Sequence, residues 1–233
     1  MTTQIADSLT SARDRLEKAL ENAGRSTQDA LLLAVSKTKP AILLRQAYGL
    51  GQRDFGENYL QEALDKQTEL ADLSDIVWHF IGPLQSNKTR DVASHFTWVH
   101  SVDRDKIARR LSQQRPAALG PLNVCLQVNV SGEASKSGVS PAALPELAAI
   151  VASLPGLRLR GLMAIPAPGD TQDQDAQRAP FAQLRQALET LRTELPEAPL
   201  DTLSMGMSAD LEAAVLEGAT MVRLGTAIFG TRS

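Results

Sequence analysis

The sequence predicts an α/β fold, a single (β/α)8 barrel with an extra helix in front of it. Short apolar runs alternate with longer amphipathic ones down the whole chain, and strands alternating with helices imply a parallel sheet. The alternation repeats eight times, the number that closes such a barrel. No composition shift, linker or low-complexity tract divides the 233 residues, a length that fits one large α/β domain over 1–233. A doubly wound open sheet is the other architecture with this pattern. Its dinucleotide-binding version is disfavoured, because no G-x-G-x-x-G follows the first strand.

The elements follow in order. Residues about 4–23 form the lead helix, with Ile5, Leu9, Leu16 and Leu20 near helical spacing and Gly24 after it. Leu31–Ser36 is a continuous apolar run, as expected of a strand buried on both faces. A helix from about Pro40 to Leu50 comes next, with proline in its first turn, where the missing N–H is harmless. The same beat then recurs. Arg53–Gly56 precedes a helix over Asn58–Leu70, Ile76–Ile81 one over Ser86–Ser94, and Thr97–Val102 one over Arg104–Arg115. Val124–Val130 precedes Pro141–Ser153, and Leu157–Ile165 precedes Ala176–Leu195. Leu200–Met205 precedes Ala209–Glu217, and Met221–Leu224 leads into a closing segment. Residues 166–177 read as the nearest thing to a mobile loop.

Composition excludes several functions. Lys and Arg number 24 against 27 Asp and Glu, so a net charge of −3 offers no attraction to nucleic acid or an anionic membrane. The single Cys125 rules out an internal disulfide framework and any multi-cysteine zinc or iron–sulfur site. The N-terminus lacks a basic segment followed by an apolar one, and no run approaches the roughly 18 apolar residues of a membrane span. A soluble, cytoplasmic protein is expected.

In a barrel, ligands bind where strands end and the next loops begin. At the first junction, Lys37 continues the alternating row of Leu33 and Val35. If that row faces inward, an amine stands at the rim of an apolar cavity, where a neutral amine can attack a carbonyl to form a Schiff base. The other reading is a solvated or ion-paired lysine at a strand end. Lys39 reads as a surface or phosphate-steering residue. Asn58 either bonds a ligand or caps the following helix, and capping is the plainer account. His79, inside an apolar strand, reads as a satisfied core histidine, and His95 and His100 lack companions for a metal site. Lys136, in a Gly/Ser loop, is a second amine or an ordinary loop lysine. Met163 is core packing or an apolar wall for a ligand ring. Ser204–Ala209 and Arg223–Ala227 each run from a late strand into a helix start, with small residues and hydroxyls that suit an anion. Loops after strands seven and eight commonly build a barrel's phosphate site. Asp210 is expected to face solvent. An amine opposite a phosphate cradle suits a phosphorylated aldehyde, either pyridoxal 5′-phosphate (PLP) or a sugar phosphate.

Five blocks, Ala34–Pro40, Phe55–Tyr59, Trp78–Lys88, Leu203–Ser208 and Arg223–Gly230, resemble the pyridoxal phosphate homeostasis protein family (YggS/PROSC type). The resemblance spans nearly the whole chain. It implies a fold-type III barrel like the N-terminal domain of alanine racemase, with PLP held covalently as a Schiff base on Lys37. It also implies phosphate contacts around Ser204, Gly206, Gly225 and Thr226. Arg223 then faces the pyridine nitrogen, while Asn58 and Met163 line the ring. An arginine only donates, so that nitrogen stays unprotonated and the ring is a weaker electron sink.

Two functions follow from the resemblance: a carrier that buffers or delivers PLP, transiently meeting apo PLP-dependent enzymes, or a racemase-like enzyme. Racemisation needs an acid/base on each face of the substrate. The resemblance places the second one, a tyrosine, in a further domain. Here only Tyr48 and Tyr59 are present, both in predicted helices, and the sequence closes shortly after strand eight. A monomeric carrier without turnover is the expectation. A cofactor-free Schiff-base aldolase is the third reading, and the ring-nitrogen arginine counts against it.

Overall fold

The computed structural model describes residues 2–132, 137–167 and 173–231. Lys136 and residues 168–172 of the predicted loop lie outside them. Eight parallel strands close a barrel in chain order. They are β1 (Leu31–Val35), β2 (Asp54–Glu57), β3 (Val77–Phe80), β4 (Trp98–Val102), β5 (Leu122–Gln127), β6 (Leu157–Met163), β7 (Thr202–Ser204) and β8 (Met221–Leu224). Closure is made by β8 pairing with β1, Leu31 opposite Met221 and Leu33 opposite Arg223. The helices are α1 (Thr2–Asn22), α2 (Ala41–Gly49), α3 (Leu60–Glu69), α4 (Thr89–His95) and α5 (Asp105–Gln114), then α6 (Leu144–Ser153), α7 (Gln174–Glu194), α8 (Leu211–Leu216) and α9 (Thr226–Phe229).

Sequence and structure agree on every element and differ at their edges. Pro40 is the N-cap of α2 rather than part of its first turn. The fifth strand starts at Leu122 and ends at Gln127; Val128 still donates its N–H to the Met163 carbonyl of β6 at 2.9 Å while it bridges to Val139. Helix α7 starts at Gln174, where the Asp173 carboxylate accepts from the backbone N–H groups of Asp175 and Ala176. The seventh strand keeps only three residues of the predicted run.

Period-two alternation sorts the strand side chains into two layers. Leu32, Ala34, Val124, Leu126, Leu162, Val222 and Leu224 face outward into the main apolar core with Leu44, Ala63, Ile107, Leu147 and Leu184 of the surrounding helices. The lead helix α1 buries Ile5, Leu9, Leu16 and Leu20 and packs on α2, α8 and α9, the elements flanking the closure. Arg15 clamps it to α8 through a bidentate pair with Glu212 at 2.7 Å. Inside the barrel lies a smaller cluster of Trp98, Cys125, Met163 and Met221.

A polar chain also crosses this interior. Asp54 Oδ1 lies 3.0 Å from His79 Nε2, and His79 Nδ1 lies 2.9 Å from His100 Nε2. His100 Nδ1 is 2.7 Å from Ser204 Oγ, which accepts from Arg223 Nη1 at 2.8 Å. Trp98 stacks on His79, with ring centroids 5.5 Å apart. His79 is therefore a satisfied core histidine, as its sequence context suggests, and His100 is its partner. Burial pushes the pKa of both rings down; for His100 the fields of His79 and Arg223 add to it, while Asp54 opposes the shift on His79.

Both imidazoles thus stay neutral in the fold below pH 6.5, where they take up protons once unfolded. The unfolded chain binds more protons there, so stability falls as pH drops, by up to about 1.4 kcal/mol per pH unit for each ring. Urea unfolding at pH 7.5 and 5.5 should show this loss, and replacing His100 by Gln should flatten it. Equal slopes for the two proteins would contradict the assignment.

Candidate functional site

The β1–α2 loop carries Lys37, and a buried ion cluster fixes the residues on either side of it. Ser36 Oγ donates to Glu57 Oε1 at 2.5 Å. Lys66, from α3, donates to that oxygen and to the Ser36 carbonyl, both at 2.8 Å, and also to Glu62. Glu62 in turn accepts from the Thr38 backbone N–H at 2.6 Å. Thr38 is the one non-glycine residue with positive φ among those described, at 62°. That conformation is unfavourable by about 1–2 kcal/mol for an L-residue, so the cluster holds the loop against its own preference. Glu57 is fully buried; desolvation pushes its carboxyl pKa up, while Lys66 and Ser36 pull it back.

Opposite this loop, strand eight supplies the mouth. Arg223 is 4% exposed, and burial lowers its guanidinium to about 10, still cationic at neutral pH. Its Nη1 bonds Ser204 and its Nη2 donates to the Ala164 carbonyl at 2.9 Å. Two residues on, Gly225 lies beside Val35: a Cβ there would meet the Val35 carbonyl at 3.2 Å. Lys37, Gly225 and Thr226 line one cleft with Val35 and Lys39. Lys39 itself donates to the Thr231 carbonyl at 2.7 Å, which ties the loop to the end of the closing segment. Gly206 adopts φ 96°, and a Cβ on it would lie 2.7 Å from that of Ala214. Only glycine lets the strand-seven loop pass this close to α8. Asp210 does not face solvent as expected. Its carboxylate turns back to accept from the Met207 N–H at 2.6 Å, and it lies within the field of Arg223.

The remaining candidates divide. Asn58 does not cap α3, whose N-cap is Tyr59; its Oδ1 is buried with no hydrogen-bond partner. An orphaned buried acceptor beside the mouth is what a ligand donor would satisfy. Met163 is fully buried in the interior cluster and pairs in register with Ser204, so it floors the mouth beneath Arg223. The Ser204 hydroxyl is already engaged by His100 and Arg223. Sequence reasoning missed the Glu57–Lys66–Glu62 cluster and the role of His100. The four-residue spacing of Glu62 and Lys66 was visible, but that fits an ordinary solvent-exposed helix pair equally well. Among the described residues no group of His, Cys, Asp or Glu is placed to hold a metal ion, and no helix is long and apolar enough to cross a membrane.

Comparison with known proteins follows from this geometry. The family model for the alanine racemase N-terminal domain matches residues 11–233. The pyridoxal phosphate homeostasis protein of Pseudomonas aeruginosa is 64% identical over 228 residues, covering 98% of this chain and 96% of that one. The chain belongs to the pyridoxal phosphate homeostasis protein family. The family's Escherichia coli K12 protein is 54% identical over 230 residues, 98% of this chain and 97% of its own. PipY of Synechococcus elongatus, solved with PLP bound, superposes with a TM-score of 0.84 at 41% identity, over 97% of this chain and all of that one. Alanine racemase from Corynebacterium glutamicum shares the fold, with a TM-score of 0.72 at 17% identity over 99% of this chain and 62% of that one.

Because Lys66 is 4% exposed and Glu57 fully buried, replacing Lys66 by Met leaves a buried carboxylate with no cation. The expected loss is about 3–5 kcal/mol in urea unfolding. A loss under 1 kcal/mol would mean that the cluster does not hold the loop.

Proposed function

We propose that this chain is a PLP-binding protein of intracellular PLP homeostasis, acting in the cytoplasm within a single barrel domain. It buffers or delivers the cofactor without turning over a substrate of its own. The observation that carries the reading is a half-buried Lys37 lining one cleft with Gly225 and Thr226, which follow the buried, donor-only Arg223 in the chain. The residues fit the group. Asn58 offers an unpartnered buried acceptor, and Gly225 and Gly206 keep two loops free of side chains.

When bound, PLP supplies an aldehyde and a pyridine ring whose pull on electrons depends on protonation of its nitrogen. Lys37 Nζ would be the covalent anchor, holding the group through its aldehyde as a Schiff base. Arg223 donates to the ring nitrogen and never supplies it with a proton. Asn58 and Met163 bound the ring. Gly206, Gly225 and Thr226 present backbone and hydroxyl donors to the phosphate. Ser204, assigned to the phosphate by the resemblance, contributes by holding Arg223. We infer that the chain acts as a monomer that meets apo PLP-dependent enzymes only transiently.

The arrangement favours holding over turnover. Tyr48 hydrogen-bonds Asp75 and lies under the guanidinium of Arg53, at the start of β2 and away from the mouth. Tyr59, 51% exposed, lines a cleft with Asn58, Leu64, Pro83 and Leu84, separate from the one that holds Lys37. Neither is seated as the second acid/base that racemisation requires.

Borohydride reduction of the PLP-loaded protein should fix the ligand on Lys37, seen by mass spectrometry of its peptide. Lys37→Ala should remain folded and colourless, and equal PLP binding by both proteins would refute the anchor. With L- or D-alanine in heavy water, α-deuterium exchange should stop at or below one equivalent per site. Sustained turnover would establish the racemase-like alternative instead.

A further inference from the structure

The chain of polar side chains through the barrel has a direction, and its two ends fix it. Arginine only donates, so Arg223 Nη1 gives its proton to Ser204 Oγ. A carboxylate only accepts, so the Asp54 end requires a proton on His79 Nε2. Both rings are neutral for the reasons given above, and each carries one proton. His79 Nδ1 is then bare and must accept from His100 Nε2–H at 2.9 Å. His100 Nδ1 is bare in turn, and the Ser204 hydroxyl donates to it. Every link therefore donates the same way, from the cation at the mouth towards the carboxylate at the far end. The opposite arrangement sets a ring lone pair against a carboxylate oxygen 3.0 Å away.

We propose that Asp54 is a positioning residue for Arg223, acting through His79, His100 and Ser204. By accepting the last proton it orients the Ser204 hydroxyl into the barrel and leaves that oxygen's lone pairs to Arg223. Nη1 and Nη2 are both held within the barrel wall, on Ser204 and the Ala164 carbonyl. The guanidinium keeps one orientation, with its remaining N–H groups free for an acceptor at the mouth. No described carboxylate bonds Arg223 directly, and the carboxylate field that acts on it is that of Asp210. The groups packed around the chain are uncharged or tied elsewhere. Trp98 covers His79, the buried Cys125 thiol is raised to about 12, and Arg160 pairs with Asp201. Asp54 is part-exposed in a cleft at the N-terminal ends of β1 and β2, so the chain joins the two ends of the barrel.

The inference deepens the PLP reading and rests on it only for the affinity arm of its test. Nitrogen-15 NMR of the cofactor-free protein should show His79 and His100 neutral, both protonated at Nε2 and bare at Nδ1. In Asp54→Leu, His100, two links from the substitution, should gain a proton on Nδ1, and the affinity for PLP should fall roughly two- to tenfold, the effect of one hydrogen bond. A wild-type His100 protonated at Nδ1, or a His100 unchanged in Asp54→Leu, would overturn the proposal. If that variant does not fold, Ser204→Ala cuts the chain at its other end. His79 should then keep its Nε2 proton while PLP affinity falls, and a change at His79 would overturn the direction assigned. Failure of the wild-type protein to bind PLP would defeat the cofactor reading alone, since the tautomers are read without it.

Discussion

The pairing of the last strand with the first is the constraint on which the site depends. In this register Arg223 lies opposite Leu33, and Gly225 comes level with Val35. Lys37, in the turn two residues beyond Val35, lines one cleft with Gly225 and Thr226. A strand climbs about 3.3 Å per residue, so a slip of one position would move the amine and turn the arginine out of the barrel. The lead helix and the two closing helices pack over this seam, which explains why α1 touches α8 and α9 rather than the middle of the chain.

Polar groups inside the barrel are tolerated because each is bonded to the next. Two histidines, a serine and an arginine occupy an interior that Trp98, Cys125, Met163 and Met221 otherwise fill. Left singly, such groups would each be unfavourable by about 1–3 kcal/mol. Linked end to end, they satisfy one another. Elsewhere Asn58, Ser101 and Glu57 each keep one buried oxygen without a partner, and so do single polar atoms of Gln46 on α2 and Gln67 on α3. Of these, the Asn58 acceptor directly follows β2.

The architecture was legible because hydrophobic period and element count are properties of consecutive residues. The edges were less so. Val128 looks like a continuation of its strand and still bonds β6, but it also bridges to Val139, after a Gly/Ser loop. Alternation singled out Lys37 and resemblance Arg223, although β1 ends at Val35 and Lys37 stands in the turn beyond it. His100 was not, since a histidine in a strand shows nothing of the partners that meet it across the barrel. Asp210 misled for a local reason. A carboxylate at a helix start normally faces water, but here it closes the preceding turn on Met207 N.

The clamp around Lys37 bears on how cargo gets in and out. Ser36 and Thr38 are bonded to groups on β2 and α3, so the peptide segment bearing the lysine is anchored on both sides. The root of the side chain is held on both sides, and the slack left is in the four side-chain torsions that position the amine. With Lys37 as the proposed anchor, torsion about those bonds moves the amine on the fast timescale of side-chain rotation, and the lifetime of the covalent bond at its nitrogen sets how long a molecule stays.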